Sequence, residues 1–276
     1  MSHDLTYRCV TALGWLGMKA LGIEVVASGA QHVPRSGPVI LAAAHVSYPD
    51  FLLIQAVVRS RGRHTRFMTR HDVWQHRVLA GAMDRMQHIA VDRAAPAGAY
   101  LHARRLLLEG EAVLSFPEAG VSYSYTVRSL MRGVAGLARE TGAPVVPVAL
   151  WGSQRIWSVG VADGRGRPPR PDLTRGRRVD VTLGEPLTIA PQEDLTDWTR
   201  GLGHRLTEMQ EGLQGLSHHR PDPGEHAPWH PAHLGGHAPT RLEAAHLDEV
   251  PRSAVTPTWG PTWSARGATP PTRRGW

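Results

Sequence analysis

The sequence predicts an α/β domain: a layered structure with a mixed, mostly buried sheet flanked by helices, plus an N-terminal amphipathic helix and a disordered C-terminal tail. Three observations carry this expectation. From about residue 23 to 215, short β-branched runs alternate with segments of helical spacing, the pattern of a sheet and its covering helices. The run 38–44 (PVILAAA) is apolar at every position, and strands of that kind are buried on both faces. Beyond Ser217 the period stops and His, Pro, Gly, Thr and Trp take over, a composition that buries too little apolar surface to order itself. The expected divisions are therefore 1–22, 23–215 and 216–276.

Each element follows from local chemistry. Residues 5–21 (LTYRCVTALGWLGMKAL) place Leu5, Cys9, Leu13, Leu16 and Ala20 at helical spacing, with Arg8 and Lys19 at the flanks. Such a helix either lies in a bilayer interface with Trp15 as an anchor or packs its apolar face on the domain body. Strands are expected at 23–27 and 38–44, and the second delivers the chain to His45. Residues 51–59 read as a helix with Asp50 at its N-terminus, where a carboxylate accepts backbone N–H bonds. The alternation continues with strand 66–69, helix 73–86, strand 88–92 (HIAVD) and helix 97–109. Strand 112–116 follows, then helix 129–140 stopped by Gly142, strands 145–150 and 179–183, and helix 194–213. Residues 163–178, rich in Pro, Arg and Gly, read as an exposed loop.

Composition narrows the function. At 276 residues and 41% hydrophobic content the chain can fill one large domain or two small ones. The formal charge of +7 comes from arginine, Lys19 being the only lysine. A basic surplus suits nucleic acid, an anionic membrane surface or a phosphorylated substrate. No basic run with interleaved aromatics is present, which argues against nucleic acid. The single cysteine, Cys9, excludes an internal disulfide framework, suggests a reducing compartment and reads as a small buried apolar residue. No apolar stretch reaches the roughly 18–20 residues of a membrane span, and the N-terminus lacks the features of a signal peptide. The expected location is cytoplasmic, peripheral on the inner face of the cell membrane. The tail histidines (His218, His219, His226, His230, His233, His237) have no fixed ligand spacing, so no metal is expected.

The chemistry concentrates in two words. HVSYPD sets His45 five positions before Asp50, and FPEAG sets Glu118 in a Pro/Gly-bounded corner after an apolar strand. A histidine at a strand's end, held through one ring nitrogen by a carboxylate on the next turn, has a fixed tautomer and keeps its other nitrogen for a proton. That is half of a serine-hydrolase triad. No G-x-S-x-G elbow accompanies it, so the reacting alcohol is a substrate hydroxyl rather than a protein one. A base, its orienter and a second carboxylate suit acyl transfer to an alcohol.

With these blocks in order, the chain resembles the glycerophosphate acyltransferase family, in particular the bacterial 1-acyl-sn-glycerol-3-phosphate acyltransferases. The family's HxxxxD matches His45 and Asp50. Its second block matches Arg70 and the run IAVDR ending at Arg93; its FPEG block matches Phe116, Pro117 and Glu118; its last apolar block matches VVPVAL around Pro147. The resemblance spans about residues 20–190. It implies that His45 is the base and Asp50 its orienter, with Arg70, Arg93, Glu118 and Gly120 binding substrate. Where the family continues Gly-Thr-Arg, this chain has Ala119, Gly120 and Val121, so the usual phosphate-facing arginine is replaced by valine. Arg128, Arg132, Arg70 or Arg93 would supply the charge instead, and Ser122, Tyr123, Ser124 and Tyr125 would suit a more hydroxylated acceptor.

The implied reaction moves an acyl group from acyl-CoA or acyl-carrier protein to a lysophospholipid acceptor at an anionic membrane surface, with no cofactor and no nucleic acid. The named alternatives are the same chemistry on another lyso-lipid or a glycolipid, and a basic membrane-binding protein without activity.

Overall fold

The structure, a computed structural model, describes residues 2–160 and 168–260. Among these, seven strands form one mixed sheet. They are β1 (Glu24–Ser28), β2 (Val39–Ala43), β3 (Thr65–Arg70), β4 (Ile89–Val91), β5 (Ala112–Ser115), β6 (Val145–Trp151) and β7 (Arg178–Leu183). Their spatial order is β1-β7-β6-β2-β5-β3-β4. The five neighbours from β6 to β4 run parallel; β7 turns antiparallel to β6, and β1 is parallel to β7. The carboxyl ends of β6, β2, β5, β3 and β4 therefore share one edge of the sheet, where open α/β folds place their ligands.

The wholly apolar runs behave as expected. β2 and β6 are buried at every position. Period-two alternation divides β2 between two cores: Val39, Leu41 and Ala43 face one side, Ile40 and Ala42 the other. The first core takes Leu53, Ile54 and Val58 from α2 (Asp50–Arg59) and Met83 from α3 (Arg77–Arg85). The second takes Leu106 and Leu107 from α4 (Ala97–Leu108), Leu137 from α5 (Gly133–Thr141), and Leu202 and Leu206 from α6 (Leu195–Gln214). Asp194 caps α6, accepting the N–H groups of Thr196 and Asp197.

Two expected helices are shorter than their apolar spacing suggests. The segment 73–86 divides into a 3₁₀ turn, His71–Gln75, and α3. The helix expected from 129 begins at Gly133, because the backbone before it is already engaged. Arg128 N–H goes to Glu118, Met131 N–H to the Pro117 carbonyl, and the Leu130 carbonyl to Val255 N–H. Tertiary bonds outcompete the local helix here.

The N-terminal helix α1 (Ser2–Ala20) docks by a different face from the stripe named in the sequence. Tyr7 is 2% exposed; its hydroxyl donates to the Thr65 carbonyl at 2.7 Å and to Gln55 Oε1 at 3.0 Å, while Val10 and Met18 pack on the first core. Leu5, Leu13, Trp15 and Leu16 are exposed, and so is Cys9, which corrects its reading as a buried apolar residue. Among the described residues no helix is long and apolar enough to cross a membrane.

The expectation of disorder from Ser217 does not hold for residues 217–260. This segment wraps the domain with little regular structure beyond short turns and α7 (Arg241–Ala244). Ala227, Ala238, Ala244, Val255 and Trp259 are buried. Trp259 lies against Gly203 of α6, where a Cβ would sit 2.5 Å from the indole. The Arg241 guanidinium donates to the carbonyls of Trp259 and Val127 and to Thr126 Oγ1. His218 and His219 both meet the Asp180 carboxylate, which also grips Arg178. Isolated anchors at irregular intervals fill grooves made by other elements, so no period betrays them. Of the loop expected at 163–178, residues 168–177 are irregular and Arg178 begins β7; residues 161–167, and the tail from 261 to 276, lie outside the described residues.

Candidate active site

The sheet edge assembles the sequence-predicted residues from separate strands. β2 ends just before His45, β5 before Phe116, β4 before Asp92 and Arg93, and β3 with Arg70. Asp50 opens α2 and is fully buried. Its Oδ2 takes His45 Nδ1 at 3.0 Å and the N–H groups of Val46 and Ser47 at 2.8 and 2.9 Å. Its Oδ1 takes the hydroxyls of Ser47 and of Ser153, the latter at 2.8 Å. A carboxylate only accepts, so the His45 proton resides on Nδ1 and Nε2 keeps its lone pair. With both oxygens engaged, Asp50 cannot swing away from the ring.

His45 is fixed on every side. Its ring stacks on Phe116 with centroids 4.0 Å apart, and its side chain remains 18% exposed. Its N–H donates to Glu118 Oε1 at 2.8 Å, and its carbonyl accepts Ser122 N–H at 3.3 Å. The two motifs are thus joined by direct bonds.

Glu118 departs from the role expected for it. The resemblance implies a substrate-binding carboxylate, but this one is 2% exposed and its second oxygen takes Arg128 N–H at 2.9 Å. It is a bridge between the base and the FPEAG loop rather than a surface for an acceptor. Burial pushes its carboxyl up from 4.5 to about 7, against the lowering pull of the Arg128 and His45 N–H groups and the Arg128 charge.

Gly120 also has a structural reason. A Cβ there would stand 2.6 Å from Arg128 Nη2 and 3.6 Å from Arg93 Nη2, so glycine lets two guanidinium groups close over the loop. Arg128 is buried and fully committed: Nε and Nη2 donate to the Glu118 carbonyl, and Nη1 pairs with Asp248 at 3.0 Å. Arg93 is more open, its side chain 43% exposed; Nη2 donates to the Ala119 carbonyl at 2.8 Å and Nη1 pairs with Glu249 at 2.9 Å. Arg70 is exposed and paired with Asp72; its charge reaches Tyr48, whose phenol is pushed up by burial and by Tyr123 and drawn back by Arg70. Of the four expected substrate contacts, the structure leaves Arg70 and Arg93 facing outward.

The hydroxyl-rich run after FPEAG is turned inward. Ser122, Ser124 and Thr126 are buried and bonded in a chain at 3.1 and 2.8 Å, and Tyr125 Oη donates to the Val159 carbonyl. Sequence reasoning missed Ser153, Asp248 and Glu249. Ser153 had a local signal. It follows β6 and Gly152, whose φ of 106° and whose Cβ position, 2.2 Å from the Arg178 carbonyl oxygen, admit only glycine. Asp248 and Glu249 sit in aperiodic chain and had none.

A family model described as Acyltransferase matches residues 24–151, a span running from β1 to the end of β6 that contains His45, Asp50, Arg93 and Glu118. Two curated relatives are the chloroplastic 1-acyl-sn-glycerol-3-phosphate acyltransferases of Brassica napus and Arabidopsis thaliana. Each is 26% identical over 136 residues, 48% of this chain, and the match covers 38% and 37% of their respective lengths. The chain therefore spans under two fifths of the relatives it matches. Among solved structures, the 1-acyl-sn-glycerophosphate acyltransferase of Thermotoga maritima superposes with a TM-score of 0.60 at 19% identity, covering 78% of this chain and 82% of that one. That likeness establishes the α/β fold.

Proposed function

We propose that the chain transfers a fatty acyl group from an acyl thioester to the free hydroxyl of 1-acyl-glycerol-3-phosphate, giving phosphatidate. The observation that carries the reading is the His45–Asp50 pair, with Nδ1 held at 3.0 Å by a carboxylate that is itself saturated. Nε2 takes the proton of the acceptor hydroxyl as its oxygen attacks the thioester carbonyl. The carbon–sulfur bond breaks as the tetrahedral oxyanion collapses, and the imidazolium returns the proton to the departing thiolate. Asp50 stabilises the imidazolium between the two transfers, as the carboxylate of a triad does. The Ser47 and Ser153 hydroxyls donate to Asp50, which favours direct transfer over an acylated serine. The thioester carries the activation, so this scheme draws on no metal or redox group.

The donor would be acyl-CoA or acyl-carrier protein, and the acceptor phosphate would bind Arg93, the better exposed of the two guanidiniums at the FPEAG loop. The inward-turned Ser122 and Ser124 weigh against a hydroxylated acceptor such as a glycolipid. We further infer peripheral binding to the cytoplasmic membrane face through α1, whose exposed Leu5, Leu13, Trp15 and Leu16 are accompanied by exposed Val78 and Leu79 of the adjoining α3. The test is an acceptor screen with the purified chain, an acyl thioester and a panel of lysolipids, read by mass spectrometry of the products. Phosphatidate as the main product supports the reading. A product only from neutral acceptors overturns it.

A further inference from the structure

The arginines at the FPEAG loop already carry anions. Asp248 and Glu249, more than ninety residues beyond the stretch that matches the acyltransferase family, pair with Arg128 and Arg93 respectively. The two pairs differ in kind. The Asp248 side chain is 8% exposed and its carboxylate accepts Arg128 Nη1 at 3.0 Å and Tyr123 N–H at 3.3 Å, while its own N–H donates to the Ala244 carbonyl at 2.7 Å; the Glu249 carbonyl adds a longer contact to Arg128 Nη2 at 3.4 Å. This anchor is fixed. Glu249 beside it is 86% exposed and meets Arg93 Nη1 through a single contact at 2.9 Å. Such a pair is weak and readily exchanged, whereas a phosphate offers the same guanidinium a stronger, two-pronged partner.

We propose that Glu249 is an acceptor-specificity residue: a tethered carboxylate that holds Arg93 until the phosphate of the acceptor replaces it. The inference rests on the acceptor reading above and adds a residue outside the family match. Asp248 keeps the segment in place, so Glu249 competes at a high local concentration and swings only a side chain to give way. A weakly anionic ligand fails to displace it; a phosphomonoester succeeds. Nη2 stays on the Ala119 carbonyl throughout, which keeps Arg93 aimed at the loop.

The test uses the full chain, its Glu249→Gln variant, Arg93→Ala and the double variant, with two probes. Inorganic phosphate binding is measured by calorimetry, and KM is measured for 1-acyl-glycerol-3-phosphate and for the acyl thioester. Glu249→Gln should tighten phosphate and lower the acceptor KM by about two- to fivefold, the range expected for an exposed ion pair. The thioester KM should not move, and Arg93→Ala should erase the gain. Unchanged phosphate affinity in Glu249→Gln, no phosphate binding at all, or a gain that persists without Arg93 would overturn the proposal. If phosphate binding responds as expected but no phosphate-bearing lysolipid is acylated, the acceptor reading fails and the role of Glu249 stands. If lysophosphatidate is acylated while phosphate binding ignores Glu249, the reverse holds.

Discussion

Replacing Glu118 by glutamine separates what the carboxylate does for stability from what it does for catalysis. The side chain keeps its shape but changes its bonding. In the wild type both oxygens accept, one from His45 N–H at 2.8 Å and one from Arg128 N–H at 2.9 Å. A carboxamide offers one oxygen and one NH₂, so one backbone N–H faces a donor and loses its partner. An unsatisfied buried group costs about 1–3 kcal/mol. The opposing effect is relief of a buried charge. Because the folded carboxyl titrates near 7 rather than 4.5, the folded state holds a proton that the unfolded chain has released. Wild-type stability therefore falls as pH rises through that window, by about 3 kcal/mol in all. Glutamine lacks this slope. Denaturant unfolding should show Glu118→Gln as the weaker protein at pH 5 and should swing in its favour by about 3 kcal/mol by pH 8. Activity should not follow stability. With His45 released from one side, thiol release should fall by about 10- to 100-fold at pH 8, since a displacement of about 1 Å at a reacting group costs about that much. A stability difference that is the same at both pH values, or wild-type turnover in the variant, would refute the bridging role.

Two further outcomes test other parts of the architecture. Trp259→Ala should destabilise the protein by about 3 kcal/mol, the cost of emptying a buried aromatic site, and unfolding curves should shift as a single cooperative transition because the C-terminal segment is part of the core. An unchanged midpoint would return that segment to the status of a loose tail. Changing Trp15 and Leu16 together to serine should weaken sedimentation with anionic vesicles without moving the unfolding midpoint, since both side chains are exposed. Retained vesicle binding would remove α1 from the membrane contact.

Most of the fold could be read from the sequence because its strands are short apolar runs and its helices are amphipathic, two patterns that local chemistry writes plainly. The helix expected from 129 was drawn too early because its first residues spend their backbone bonds on Pro117, Glu118 and Val255, and long-range bonding of that kind has no local sign. Which face of α1 docks is not legible in the sequence for a related reason. Its most hydrophobic stripe is the exposed one, and the helix is fastened by Tyr7, a residue whose hydroxyl needed partners from α2 and β3. In the candidate site, the His45–Asp50 contact followed from spacing on a strand-to-helix turn. The motif locates the Glu118 carboxylate at the site but does not say that its two oxygens take the His45 and Arg128 N–H groups, because a motif carries no sign of whether a carboxylate faces a ligand or a backbone. Asp248 and Glu249 were out of reach, since irregular chain approaches the site only through tertiary packing.

The central claim is that His45 Nε2, set by Asp50, is the base for transfer to a substrate hydroxyl. The direct measurement is single-turnover thiol release from an acyl thioester with 1-acyl-glycerol-3-phosphate present, comparing wild type with His45→Ala. General-base catalysis contributes about 10²–10⁴-fold, so the variant should lose that factor while unfolding at the wild-type denaturant midpoint. A folded His45→Ala protein that releases thiol at the wild-type rate would contradict it.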